Sequence, residues 1–202
     1  MKIFSRDEMV ADASSYSLSP LKPRAFVNQL DRMIFAKIES FESATREQLK
    51  LAHDADHVDG VLDGRLPNGF GNKSPAMASS LLYTVGSIIA APREAVCPER
   101  EQSGRPVTCS PTSGFHHAGY DYGGCFCTFN GLLVAALVAR QENSVTVCSS
   151  WMATSTGAMG RRTSSNGMAC AGSASFTGRA PMRRTISRHC AHAGAKSSVP
   201  IW

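Results

Sequence analysis

Residues 113–131 read SGFHHAGYDYGGCFCTFNG and gather the side chains of this chain best suited to chemistry. His116 and His117 are adjacent, so both imidazoles cannot be protonated cheaply. Like charges in contact push one pKa down and keep one ring available as a base near neutral pH. Such a base suits general acid–base work on a bound substrate. Gly123 and Gly124 follow, able to bring backbone close to a ligand, and Phe126 stands between Cys125 and Cys127. A second pair, His53 and His57, lies four residues apart, at metal-ligand spacing on a helix. No third ligand is convincingly placed beside it, so both are read as ordinary helix-surface residues. An adjacent His pair alone is more often a surface or hydrogen-bonded core feature than a catalytic one, so the case rests on its surroundings.

Those surroundings read as an α/β protein up to Ser144. TREQLKLAH opens at Thr45 with Gln48 three residues on, the pattern of a capping box, and predicts a helix from near Thr45. DADHVDGVLDG sets Val58, Val61 and Leu62 at helical spacing, with Gly64 as a stop. KSPAMASSLLYTVGSIIAA offers Ser74 as N-cap, Pro75 at the first helical position, and Met77, Leu81, Val85 and Ile88 along one face, a helix expected to pack on a sheet. PVTCS, 106–110, suits a buried strand, and FNGLLVAALVAR a helix, which together make a βα unit of a parallel sheet. The histidine stretch then falls at the carboxyl end of a strand, the edge where open α/β sheets bind ligands.

Composition divides the 202 residues in two. All sixteen acidic residues lie at or before Glu142, so the first 144 residues carry net −2, whereas the last 58 carry +7 and contain no Leu or Tyr. An ordinary stretch of that length holds roughly seven acidic residues. Seven cysteines without CxxC spacing indicate neither a disulfide framework nor a zinc ribbon, and the thiols are expected to be reduced. No apolar run of membrane-span length and no apolar signal core are read in the sequence, so a cytoplasmic chain without a membrane partner is expected.

PTSGFHHAGYDYGGCFCTFNGLLVAA resembles the active-site segment of the zinc-dependent histone deacetylase family, which includes acetylpolyamine amidohydrolases and acetoin-utilisation proteins. LAHDADHVDGVLDG and NGFGNKSPAMASSLLYTVGS are similar to segments of its bacterial members, and the resemblance covers about residues 20–141. It implies an incomplete arginase/deacetylase-like parallel sheet flanked by helices. It implies His117 as the general base and acid, with His116 its electrostatic partner. Phe126 would form one wall of the tunnel that grips an acetyl-lysine or acetylpolyamine stem, with Gly123 and Gly124 giving close backbone approach. Where Cys125 stands the family usually has Gly, so a bulky thiol would crowd the tunnel.

The resemblance also implies zinc, held by an Asp and a His in a DxDxHxGDG-type segment on the next strand and by a later Asp. Here the next strand reads SVTVCSSWMATSTGAMGRRTSSNGMA, with Ala153, Thr154, Ser155 and Thr156 where the first ligands would fall. None of these holds zinc well. The string becomes intelligible in another triplet phase. Trp151 and Met152 have single codons whose junction spells Asp; the junctions Met152–Ala153, Met159–Gly160 and Met168–Ala169 each spell Gly. With permitted codon choices the run reads VLILDGDVHWGDGTTDIIERHGM, close to the family's metal-binding strand and loop. Residues 1–144 are therefore expected to be the N-terminal part of the deacetylase-like domain. Residues 145–202 are expected to be an irregular, out-of-frame tail. The family's remaining Asp and its oxyanion-stabilising Tyr are expected beyond residue 202. The expected product binds no zinc and is inactive. The other reading is a non-catalytic α/β binding protein whose basic tail contacts nucleic acid or acidic partners. That tail has no reader motif, and its aromatics are Trp151, Phe176 and Trp202.

Overall fold

The computed structural model describes residues 1–15, 17–30, 36–96, 107–112 and 115–142, together with three strands further on. The chain falls into two compact units, 1–144 and 145–202.

The first unit is built on a parallel sheet of three short strands, β1 (Lys2–Phe4), β2 (Lys37–Glu39) and β3 (Thr108–Cys109), in the order β2-β1-β3. Ile3 of the central strand pairs with Ile38 on one side and Cys109 on the other and is wholly buried. The predicted strand PVTCS narrows to its middle residues, and Pro106 lies outside the described residues. Around the sheet run α1 (Lys22–Val27), α2 (Arg46–Lys50), α3 (Ala55–Leu62), α4 (Pro75–Ala95) and α5 (Gly131–Gln141).

The local signals act as their chemistry predicts. Thr45 Oγ1 accepts from the Gln48 amide while Gln48 Oε1 accepts from the Thr45 amide, the reciprocal capping box of α2. Ser74 caps α4 by accepting from the Met77 amide, and Gly64 ends the turn after α3 at φ +71°. On α4, Met77, Val85 and Ile89 are buried while Leu81 and Ile88 are half-buried. Against the expectation that no run reaches span length, this helix is long and apolar enough to cross a membrane by length and composition; half of its apolar window is buried within the protein. Its packing on α5 joins Val85 and Ile89 to Val134 and Val138 in one core with Leu49, Val58, Val61 and Phe129.

A line of hydroxyls locks α4 to the carboxyl edge of the sheet. Ser87, with no exposed surface, donates to the Phe4 carbonyl at 2.6 Å, its Oγ lies 2.6 Å from that of Ser110, and Ser110 reaches Thr112 at 3.0 Å. Thr108 Oγ1 donates to the Ala91 carbonyl at 2.9 Å. Each such bond satisfies a polar group that burial would otherwise leave costly. The edge from which the histidine loop departs is thus tied to α4 through side-chain hydroxyls.

In the second unit β4 (Cys148–Thr154), β5 (Gly157–Thr163) and β6 (Ala174–Phe176) form an antiparallel ladder, with Trp151 opposite Gly160 and Gly160 opposite Ala174. For the other residues of 145–202 the expectation of an irregular tail lies outside the described residues.

Candidate active site

Past β3, Phe115 is a buried ring seated on α5. A Cβ added to Gly131 would come within 2.7 Å of the Phe115 ring, so only glycine lets the two meet this closely. That contact anchors the peptide just before the histidine pair. His116 is half-buried and His117 exposed, and their rings lie 3.9 Å apart between centroids, inclined by 44°. Ala118 is buried again, and the Gly119 amide donates to the Tyr122 carbonyl at 3.0 Å, closing the loop. The two rings that the sequence singles out are therefore in contact at the carboxyl side of the sheet.

His53 and His57 are the correction. Both are expected on a helix surface from sequence, yet they are 1% and 5% exposed. The Asn130 amide can only donate, and it reaches His53 Nε2 at 2.8 Å, so that nitrogen carries no proton. Nδ1 therefore holds the proton and donates to the Tyr120 carbonyl at 3.2 Å. His57 Nε2 reaches the Thr128 carbonyl at 3.5 Å, and both rings meet Phe129 edge-on, at 5.4 and 5.7 Å. Burial holds the His53 pKa below its ordinary value; the Tyr120 carbonyl pulls upward, and His57 adds to the lowering. A signal for this is present: His57 is one turn before Val61 and next to Val58, the residues that define the buried face of α3.

The Gly-rich part of the loop forms a tight turn. Gly124 and Cys127 exchange backbone hydrogen bonds at 2.8 and 2.9 Å, and the two residues between them, Cys125 and Phe126, have φ of +50° and +64°. Hairpin turns of this kind favour Asn-Gly, because left-handed backbone crowds a Cβ. Positions 125 and 126 both hold left-handed backbone that asparagine or glycine takes up more readily than cysteine or phenylalanine, a feature of the turn separate from the expected crowding by a thiol. Among the described residues Cys109 and Cys127 are free thiols, as expected for these two. Gly123 has its own loop close by, with the Cys127 carbonyl oxygen 3.0 Å from an added Cβ, while Gly124 faces open space.

Phe126 does not stand alone. Its amide donates to the Gly69 carbonyl at 3.0 Å, and Gly69 in turn donates to Thr128 Oγ1 at 2.9 Å. Gly69 sits so close that an added Cβ would lie 2.4 Å from the Cys127 carbonyl. This brings the Phe70 ring to 5.7 Å from the Phe126 ring, and both line a largely apolar cleft with Thr112, Phe115 and Thr128. Phe70 belongs to the NGFGN segment, but nothing in its spacing marks it as the neighbour of Phe126.

A zinc site needs three or four nitrogen, sulfur or oxygen donors converging on one point. Among the described residues no group of three or more His, Cys, Asp or Glu is placed to hold an ion, and both nitrogens of His53 are engaged with backbone. The described residues do not fit the metal.

Residues 17–148 match the histone deacetylase domain. Among solved structures 121 chains match, and one is the crystal structure of an HDA15 HD domain, with 20% identity and a TM-score of 0.55. That alignment covers 70% of this chain and 43% of the other, so this chain spans less than half the length of the structure it matches. At this identity the likeness is one of fold. No curated protein matches.

Proposed function

The chain belongs to the histone deacetylase family, and from that premise we propose that it carries the proton-transfer and substrate-gripping part of a zinc-dependent amidohydrolase without the part that holds the metal. The family acts on acetylated lysine, and here an acetyl-lysine or acetylpolyamine stem would lie against Phe126. His117, the more exposed ring, handles the proton; His116 is its electrostatic partner. Gly123 and Gly124 keep the backbone beside the stem free of side chains. The observation that carries this reading is the contact of the two imidazoles, 3.9 Å apart, on a loop leaving the carboxyl edge of a parallel sheet.

The same reading predicts an inactive chain. Ala153, Thr154, Ser155 and Thr156 occupy the places where the family's Asp and His ligands fall, and none supplies a strong zinc donor. A change of triplet phase between Glu142 and Thr146 accounts for this. It is supported by the forced Asp and Gly junctions, by the loss of every acidic residue after Glu142, and by a family match that ends at residue 148.

Two measurements test it. Purified full chain is expected to hold far less than one zinc per molecule and to leave an acetyl-lysine reporter uncleaved; stoichiometric zinc with turnover overturns the inactivity. Nucleotide sequence across codons 138–150 is expected to continue, in the alternative phase, into an open frame encoding a carboxylate and imidazole cluster. Stops in that phase overturn the phase change and leave the family assignment untouched.

A further inference from the structure

We propose that His53 is a positioning residue: its neutral ring ties the loop that carries His116 and His117 to the amino terminus of α5, and its protonation releases that tie. The proposal uses the acid–base reading of the His116–His117 pair only to name what is positioned.

One ring holds two points of the chain that lie 67 and 77 residues from it in sequence. Its Nδ1–H holds the Tyr120 carbonyl, three residues past His117, and its bare Nε2 receives the amide of Asn130, the N-cap of α5. The Tyr120 carbonyl also accepts the Asp54 amide at 2.9 Å, so the backbone at the start of α3 and the ring converge on one oxygen. Asn130 continues the chain of contacts, its side chain accepting from the Leu133 amide. With 1% of its surface exposed, His53 has no water to replace either partner.

Protonation changes one of these bonds and spares the other. A proton on Nε2 sets N–H against N–H at Asn130, while Nδ1–H still faces the Tyr120 carbonyl. The groups around the ring offer the cation little. His57 on α3 lies 6.0 Å away between centroids and opposes a second positive charge. The Asp54 carboxylate is already accepting from the Asp56 and His57 amides, and Lys50 on α2 is paired with Glu47 and Asp59. From the site loop come Tyr120 and the exposed Asp121, and α5 has no charged residue before Arg140. The folded state thus favours the neutral ring. The contribution is fully present above the ordinary histidine value of 6.5 and is lost as pH falls through the lowered folded value.

The test is a pH titration of the full chain with nitrogen-15-labelled histidine and backbone, from about pH 8 to about pH 5. His53 is expected as the Nδ1–H tautomer at the upper end. Through its midpoint the Asn130 amide should lose about tenfold in protection relative to its intrinsic exchange rate at each pH, and the His116 and His117 ring signals should move with that same midpoint. His53→Asn keeps a donor for Tyr120 but no acceptor for Asn130, so the pH response at Asn130 should vanish while the site loop stays ordered. An Nε2–H tautomer, or Asn130 protection unchanged through the His53 midpoint, overturns the proposal. If His53→Asn does not fold, the titration of the unaltered chain decides alone. Zinc content and turnover do not enter these readouts, so the fate of the deacylase reading is decided separately.

Discussion

The chain carries two histidine pairs, and they are opposites. His53 and His57 sit one helical turn apart at the core, each with a ring nitrogen on a backbone carbonyl and each edge-on to Phe129. His116 and His117 sit side by side on a turn, ring against ring, with His117 exposed. Burial with backbone partners fixes a tautomer and turns His53 into scaffold, whereas the His116 and His117 rings meet each other, one half-buried and one exposed. Spacing alone suggests the reverse for the first pair, since i, i+4 histidines are also how helices present metal ligands.

The largest expected effect comes from the buried pair. His53→Ala leaves a cavity and two backbone groups, the Tyr120 carbonyl and the Asn130 amide, without their ring partner. A loss of about 3 kcal/mol in urea unfolding is expected. A loss below about 1 kcal/mol would mean that water or a shifted loop replaces both bonds, and would break the contrast between the pairs.

A smaller loss tests how the exposed pair is held. Gly131→Ala pushes a methyl to within 2.7 Å of the buried Phe115 ring, which must shift to make room. Overpacking of this kind costs about 2 kcal/mol. Because Phe115 precedes His116 directly, the ring signals of His116 and His117 should shift as well. Destabilisation without that shift would mean the loop is set from the His53 side alone.

Much of this frame is legible in the amino-acid sequence itself. Helix starts announce themselves through short-range chemistry, and Thr45–Gln48 and Ser74–Pro75 act as their types dictate. The placement of the histidine loop follows from one strand and one helix flanking it. What is not legible there depends on long-range partners. β1 and β2 are three residues each, too short for any periodicity, and become strands only by pairing with each other and with β3. The burial of His53 needs Tyr120 and Asn130, which lie 67 and 77 residues away in sequence. The nearness of Phe70 to Phe126 likewise depends on Gly69 having no side chain, a fact visible only once its neighbour across the fold is known.

The smallest expected effect is the sharpest for function. His117 is exposed, neither it nor His116 belongs to the buried core, and the loop around them is held by Phe115, Ala118 and the bonds at Tyr120. His117→Ala should therefore move the urea midpoint by no more than about 0.5 kcal/mol in stability, in the range of ordinary surface changes. If instead His117→Ala costs as much as His53→Ala, the ring contact at 3.9 Å is itself a structural clamp. Both pairs would then be scaffold, and the loop would retain the family's pattern without its acid–base role.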